Sequence, residues 1–426
     1  MKKRINRVLF WFLLEMISAC VCVSLLLLND NGDYNDIVAL LLLFINLLSL
    51  IKARNNWYLF IVFSIITYSN YSICVSNYLA SPINTFFASY AYTIVGAKGV
   101  NILLGFSVLL LVCLPDTVIS KQREIEIIKN NRHNVIVVLG VSLVLVLIWI
   151  FGYKRPETVG DRGSPTALYE YSLIFLIISF YYSGRDKRLY GLTLLLAGMY
   201  AIQNFVFGGR ITGVQIVVVI VLCLFGDKLS IKKVIPVSAL FFVIMSGIGL
   251  YRASILQYGM DIRVILQTIV SRHFALDTAY SSYYTSMTFL DVLARTSLKN
   301  RLYLFFQWVL SMLIGGSVPD SNLAYYTRQF FLHYNGGVLP YFAWFYLGFI
   351  GVLLLSIYIR FLFGRISQVN VESSGLIRCI AIYVCASTFR WYLYSPAQLF
   401  RGILLLCFVY VFADLVDRIT NKSISS

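Results

Sequence analysis

Charge is what this sequence has least of: Asp, Glu, Lys and Arg make up 13% of its 426 residues, against about 25% in a soluble globular chain. Beside 59% hydrophobic residues, that shortage excludes a soluble protein and leaves no room for a large polar catalytic domain. Acidic residues are scarcer still, 19 against 35 basic, and the net charge is +16. A nucleic-acid partner would need those basic residues along one polar face, and they fall instead in short clusters between apolar runs. Histidine occurs three times, at His133, His273 and His333, never with the His-x-x-x-His spacing of a zinc enzyme. All eight cysteines lie inside apolar runs, so neither disulfides nor a zinc site is expected. No repeat of 20 to 50 residues is visible, which weakens a carrier built from inverted halves.

What the sequence has is long apolar runs. Twelve are expected to span a membrane: Val8 to Leu28, Ile37 to Ile51, Trp57 to Val75, Val100 to Leu114, Val135 to Phe151, Ala167 to Tyr182, Leu189 to Phe207, Ile211 to Phe225, Val234 to Leu250, Val338 to Ile359, Leu376 to Tyr394 and Phe400 to Val416. With the N-terminus inside, 21 of the 35 basic residues fall on cytoplasmic segments and seven on short outer ones. The other seven lie in the 87 residues from Tyr251 to Gly337, by far the longest connection. The expectation is an all-α polytopic membrane protein. Helices one to nine occupy 1–250, a large outer loop with interfacial or re-entrant helices occupies 251–337, and helices ten to twelve with a cytoplasmic tail occupy 338–426. Glu15, inside the first span, is either functional or bonded to a neighbouring helix.

Function is expected on the outer side. The turn Phe207-Gly208-Gly209-Arg210 sets an arginine at the membrane surface, against the basic-inside bias. A guanidinium offers a fixed fork of donors matched to phosphate oxygens. Arg252, Arg390 and Arg401 fall at a similar depth, and the four together suggest a held polyanion. The long loop contributes His333 and His273 as candidate bases, with Asp277, Asp320 and Glu170 as acidic competitors. Its Tyr280, Tyr283, Tyr284, Tyr325, Tyr326 and Tyr334 offer flat faces for stacking on sugars. Arg210, His333 and Asp277 are the expected catalytic residues, and Arg210, Arg252, Arg328, Arg390, Arg401, Tyr325 and Tyr326 the expected substrate contacts. No metal and no cofactor is expected.

The outer Gly208-Gly209-Arg210 before a helix, the loop ending His333-Tyr334-Asn335-Gly336-Gly337-Val338-Leu339-Pro340-Tyr341, and the following Leu347-Gly348-Phe349-Ile350-Gly351 helix carry a resemblance. Over residues 200–405 the chain resembles the Wzy-type repeat-unit polymerases of the O-antigen polymerase and ligase superfamily. That resemblance implies a glycosyltransferase of the bacterial inner membrane with both termini cytoplasmic. It would join oligosaccharide units carried on undecaprenyl diphosphate into lipopolysaccharide or capsule chains. Membrane lipid and the pathway's flippase and chain-length regulator would be its partners. In the family, the arginine of the Gly-Gly-Arg turn is thought to contact the lipid diphosphate. The ligase pattern of His followed by a small polar residue fails at Tyr334, which favours polymerase. A ligase, a flippase or exporter of the same glycans, and a polyprenyl-phosphate-sugar glycosyltransferase using Asp30, Asp33 and Asp36 remain the alternatives.

The charge bias makes one arrangement testable. Single cysteines introduced into a cysteine-free background should be labelled from outside the cell at positions within 251–337, and from the cytoplasm alone at the termini and in Lys121 to Arg132. Labelling of the long loop from the cytoplasm alone would overturn the orientation.

Overall fold

The computed structural model describes residues 2–80, 90, 93–114, 133–155, 163–207, 209–225, 236, 247, 262–315, 318–333, 336–369 and 373–425. Among the described residues about 82% are helical, and one short ladder pairs Tyr153 with Pro165 and Lys154 with Ser164. Among the described residues seven helices are long and apolar enough to cross a membrane. They cover Val8–Leu28, Asn35–Ala53, Trp57–Leu79, Ile94–Cys113, Lys187–Val206, Leu339–Ser367 and Ala397–Asn421. Four apolar helices are shorter: Val135–Phe151, Ser172–Ser183, Arg210–Leu224 and Gly375–Ala386. Of the expected ninth span, 234–250, only residues 236 and 247 are described.

Side chains are distributed inside out relative to a soluble bundle. The first helix, α1 (Lys2–Leu28), exposes Phe10, Phe12, Ile17 and Leu27, and the last exposes Phe408, Val411 and Phe412. Meanwhile Asn46, Ser69, Asn70 and Ser72 are buried. A surface this apolar in several helices is suited to hydrocarbon, where polar groups must find partners within the chain.

The chain divides into two compact units. The first comprises Met1–Lys121, Arg272–Gln368 and Arg390–Ala397. Here α2 (Asn35–Ala53) packs on α3 (Trp57–Cys74) and α4 (Ile94–Cys113), and α1 rests on α4. The first two helices are joined at the base of α4 by an ion pair: Lys52 Nζ donates to Glu15 Oε1 at 2.6 Å and to the Leu114 and Leu111 carbonyls at 2.7 and 3.3 Å. Lys52 thus satisfies a carboxylate and the end of a helix dipole at once. Glu15 has a structural partner. At the other end Asn29 donates to Asn35 and Asn101 and so clasps the α1–α2 turn to α4. Mid-bundle, Asn70 donates to Asn46, and the Tyr392 hydroxyl donates to Asn70.

In the second unit, α5 (Val135–Phe151) leads through the short ladder to α6 (Ala167–Glu170) and α7 (Ser172–Ser183). Then come α8 (Lys187–Val206), α9 (Arg210–Phe225) and α10 (Ile262–Ser271). Asn134 caps α5 and donates to Asp417 and Thr420, both at 2.7 Å. Asp186 caps α8, and N–H bonds from Leu189 and Arg188 hold its carboxyl below the usual range.

Three expectations change. First, part of the 251–337 segment packs inside the first unit. Within it α11 (Asp277–Leu293) buries 12 of its 17 residues against α3 and α4. Tyr280, Tyr283 and Tyr284 are packed inside, so they offer no stacking face. By contrast α12 (Leu298–Ile314) exposes Phe306, Leu313 and Ile314, and a short α13 (Leu323–Thr327) follows. Second, the tenth span, α14 (Leu339–Ser367), breaks at Gly348, whose φ is 63°. The carbonyls this frees at Phe345 and Tyr346 accept from the Arg301 guanidinium of α12 at 2.6 and 3.2 Å. Third, the eleventh span is two helices, α15 (Gly375–Ala386) and α16 (Thr388–Leu393), followed by α17 (Ala397–Ser425). Ser387 and Thr388 hydroxyls donate back to the Tyr383, Val384 and Cys385 carbonyls, a substitution for ladder bonds that bends helices.

The buried ion pair sets up a test. Lys52→Met strands the Glu15 carboxylate and two carbonyls, and should cost about 3 kcal/mol or more. Glu15→Met/Lys52→Met should regain most of that, because no lone charge is left inside. Thermal unfolding of the purified protein in detergent would measure both. A double variant no more stable than Lys52→Met would deny the pair this role.

Candidate functional site

In the second unit the Gly-Gly-Arg turn is built on a buried polar core. Gly208 lies outside the described residues. Gly209 N–H donates to the Asn204 carbonyl at 2.7 Å, and α9 begins at Arg210. The Asn204 amide donates to the Tyr169 hydroxyl and the Tyr200 carbonyl, Tyr169 donates to Gln203, and Tyr200 donates to the Leu145 carbonyl. The space a side chain at Gly209 would need is taken by the Asn204 carboxamide. Glycine stands there because this network fills the position.

Two arginines of the same unit lie over aromatic rings. Arg155 lies over the Phe207 ring at 5.9 Å, three residues before Arg210. Arg401 lies over the Tyr171 ring at 5.6 Å, two residues after Tyr169. Gln398 reaches Glu170 at 3.5 Å, tying the start of α17 to α6. Tyr153, Tyr169, Tyr200 and Phe207 pack edge and face within about 6 Å of one another along this run. Arg155 and Arg401 each lie over an aromatic ring in the unit that holds this turn, and Arg210 opens the helix that follows the turn. Arg155 was missed from the sequence, where it read as one more basic residue in a short loop. What marks it is the aromatic ring beneath it, which only the fold supplies.

The remaining expected residues belong to the first unit, except Arg252, which lies outside the described residues. Arg390 is buried, its guanidinium over the Tyr394 ring at 5.3 Å. His333 is buried, with Nε2 2.9 Å from the Thr327 hydroxyl at the end of α13. On the same short helix Tyr325 is exposed, Tyr326 half-buried against Phe330, and Arg328 exposed. Asp320 holds a φ of 54° before that helix. Tyr334 lies outside the described residues.

Asp277 opens α11, half-buried, its carboxylate accepting from Thr278 N–H at 2.7 Å. Just before it the backbone does something the sequence gives no warning of. His273 and Phe274 both have left-handed φ, 50° and 57°, without being glycine. Their carbonyls accept from Tyr71 and Tyr68, and Leu276 N–H donates to Ser72, so the turn lies beside the C-terminal part of α3. Strained turns of this kind persist where surrounding bonds over-determine them, and they concentrate at working sites.

The Gly336-Gly337-Val338 stretch has a packing account. Gly337 N–H donates to the Leu393 carbonyl and Val338 N–H to the Ser286 hydroxyl. A side chain at Gly337 would meet the Phe289 and Phe342 rings at under 3 Å. Tyr90, joined to Asp291 at 3.2 Å, has its phenol pushed up by burial and by that carboxylate, and so remains a neutral donor. In the α1–α2 turn Asp30 and Asp33 are exposed. Among the described residues no group of three or more His, Cys, Asp or Glu is arranged to hold a metal ion.

Comparison with known proteins finds no matching family model, no matching curated protein and no matching solved structure. The chemistry therefore rests on the residues. Guanidinium groups stacked on aromatic rings stay charged and partly dehydrated, which suits phosphate oxygens.

Gly209→Ala should push on the Asn204 side chain and lower stability by about 1–3 kcal/mol, as overpacking does. Gly198→Ala, on α8 with open space around it, should leave stability level or raise it by up to about 1 kcal/mol. Melting the two variants side by side checks the account; equal midpoints would refute it.

Proposed function

We propose that this chain is a polysaccharide polymerase of the bacterial inner membrane, joining oligosaccharide units carried on undecaprenyl diphosphate at the outer face. The observation that carries the reading is that Arg155 lies over Phe207 and Arg401 over Tyr171 in the same unit as the Gly209-Arg210 turn. In this reading both termini are cytoplasmic, α10 and α12 lie on the outer leaflet, and the flippase and chain-length regulator of the same pathway are partners.

A hydroxyl of the terminal sugar of one lipid-linked unit attacks the anomeric carbon of the other glycan. The bond to undecaprenyl diphosphate breaks, the electron pair leaves with the diphosphate, and the hydroxyl proton passes to a base. The leaving group arrives activated, so the protein must supply positive charge, positioning and that base. Arg210, with Arg155 and Arg401, meets the charge that grows on the diphosphate. Burial of His333 against Thr327 favours Asp277, half-buried beside the strained turn, as the base. Exposed Tyr325 and Arg328 suit contact with sugar and charge. Arg390, though buried, belongs to the same demand for positive charge.

Arg210→Ala should abolish polymer while single lipid-linked units persist and the protein stays at normal abundance. A charge-assisted contact that strengthens as the diphosphate leaves is worth several kcal/mol, on the order of a hundredfold or more in rate. Arg210→Lys should recover little, because an ammonium lacks the bidentate fork. The assay is chain formation from purified lipid-linked units, with no nucleotide sugar and with chelator in excess. Normal polymer from Arg210→Ala would sink the reading, and a strict divalent-ion requirement would move weight to Asp30, Asp33 and Asp36.

A further inference from the structure

In the first unit α1, α4 and α14 border a groove of about 540 Å³. That is within the usual range of about 300–1,000 Å³ for a small-ligand site. Its walls are apolar for most of its length, with Val23 and Leu26 on α1, Gly105 and Leu109 on α4, and Val352 on α14. One end is different. There Asp30, Lys98 and Asn101 form the rim, with Trp344 beside them.

The three polar residues are not equivalent. Asn101 is committed to the Asn29 clasp, bonding to it in both directions. Lys98 is exposed, its ammonium 5.8 Å from the Trp344 ring centre, and Asp30 is exposed across the same rim. Both charges lie where the Asn29 clasp holds the end of α1 to the start of α4, so they share one end of the groove. An apolar channel closed by one cation and one carboxylate complements a chain whose head carries one phosphodiester and one ammonium. A singly anionic head would find Lys98 but leave Asp30 repelling it, and a diphosphate would be repelled more strongly. Tryptophan at such a rim suits the boundary between chain and head group.

We propose that this groove holds one acyl chain of an ethanolamine phospholipid, with the phosphodiester against Lys98 and the ammonium against Asp30. The proposal stands apart from the polymerase chemistry: none of the residues given a role in that reaction lines the groove.

The test is native mass spectrometry of the full chain, purified in detergent and offered phosphatidylethanolamine, phosphatidylglycerol and a polyprenyl phosphate in equal amounts. Wild type should retain one phosphatidylethanolamine several-fold in preference to the others. Gly105→Phe should lose that lipid with an unchanged unfolding midpoint. A Cβ there meets only Leu26, at 4.0 Å, so the added side chain starts in open space on the groove wall. Asp30→Asn should erase the preference for ethanolamine over glycerol heads while retention continues, and Lys98→Ala should weaken retention of every phosphate-bearing lipid. Equal retention of the three lipids by wild type, displacement by the polyprenyl phosphate, or an unaltered preference in Asp30→Asn would each overturn the assignment.

Discussion

A polar group inside an apolar bundle must find its partner within the chain, and much of this architecture answers that one constraint. Lys52 reaches Glu15 and the last carbonyls of α4 together, so that one ammonium serves three helices. Asn46, Asn70 and Tyr392 form a hydrogen-bonded line through the first unit, and Asn134 performs a similar office in the second by joining α5 to the end of α17. Apolar side chains are free to face outward because these bonds hold the helices from within. In hydrocarbon, packing and hydrogen bonds carry the association that water would otherwise drive.

The same constraint explains where helices break. A helix interrupted inside such a bundle exposes carbonyls that water cannot reach, so each interruption needs a donor. At Gly348 the donor is Arg301, brought in from α12. At Ser387 and Thr388 the donors are the hydroxyls of the break itself. At the turn before α11 they are Tyr68 and Tyr71, which reach across from α3. Asp277 and Arg390 each follow such a break.

Particular residues show how far the sequence could be read. Apolar runs with basic residues between them announced the helical class, and the starts of α3 at Trp57, of α5 at Val135 and of α14 near Val338 are where the runs begin. Asn56 and Asn134, each set just before such a run, cap the helices that follow. Arg210 drew notice because it opposes the charge bias. Arg155 did not, since only Phe207 beneath it sets it apart. The buried tyrosines of α11 were misread for the opposite reason: a helix of Ser, Thr and Tyr has the composition of a surface loop. It is internal here because its hydroxyls bond back to their own helix or to neighbours, as Ser286 does to Val338 and Tyr283 to Tyr78.

What the sequence determined by itself is the class of solvent and the class of element. Runs of apolar residues with little charge cannot dissolve, and in the absence of water a backbone must close its own hydrogen bonds as helices. What only the tertiary structure decided is which partners each polar residue meets. Glu15 and Arg210 look alike in sequence, single charges set against an apolar background. Glu15 meets Lys52 because α1 and α2 both rest on α4, while Arg210 emerges at a helix start shaped by Asn204. Partnership between charges distant in the chain is a property of packing, and composition and period cannot encode it.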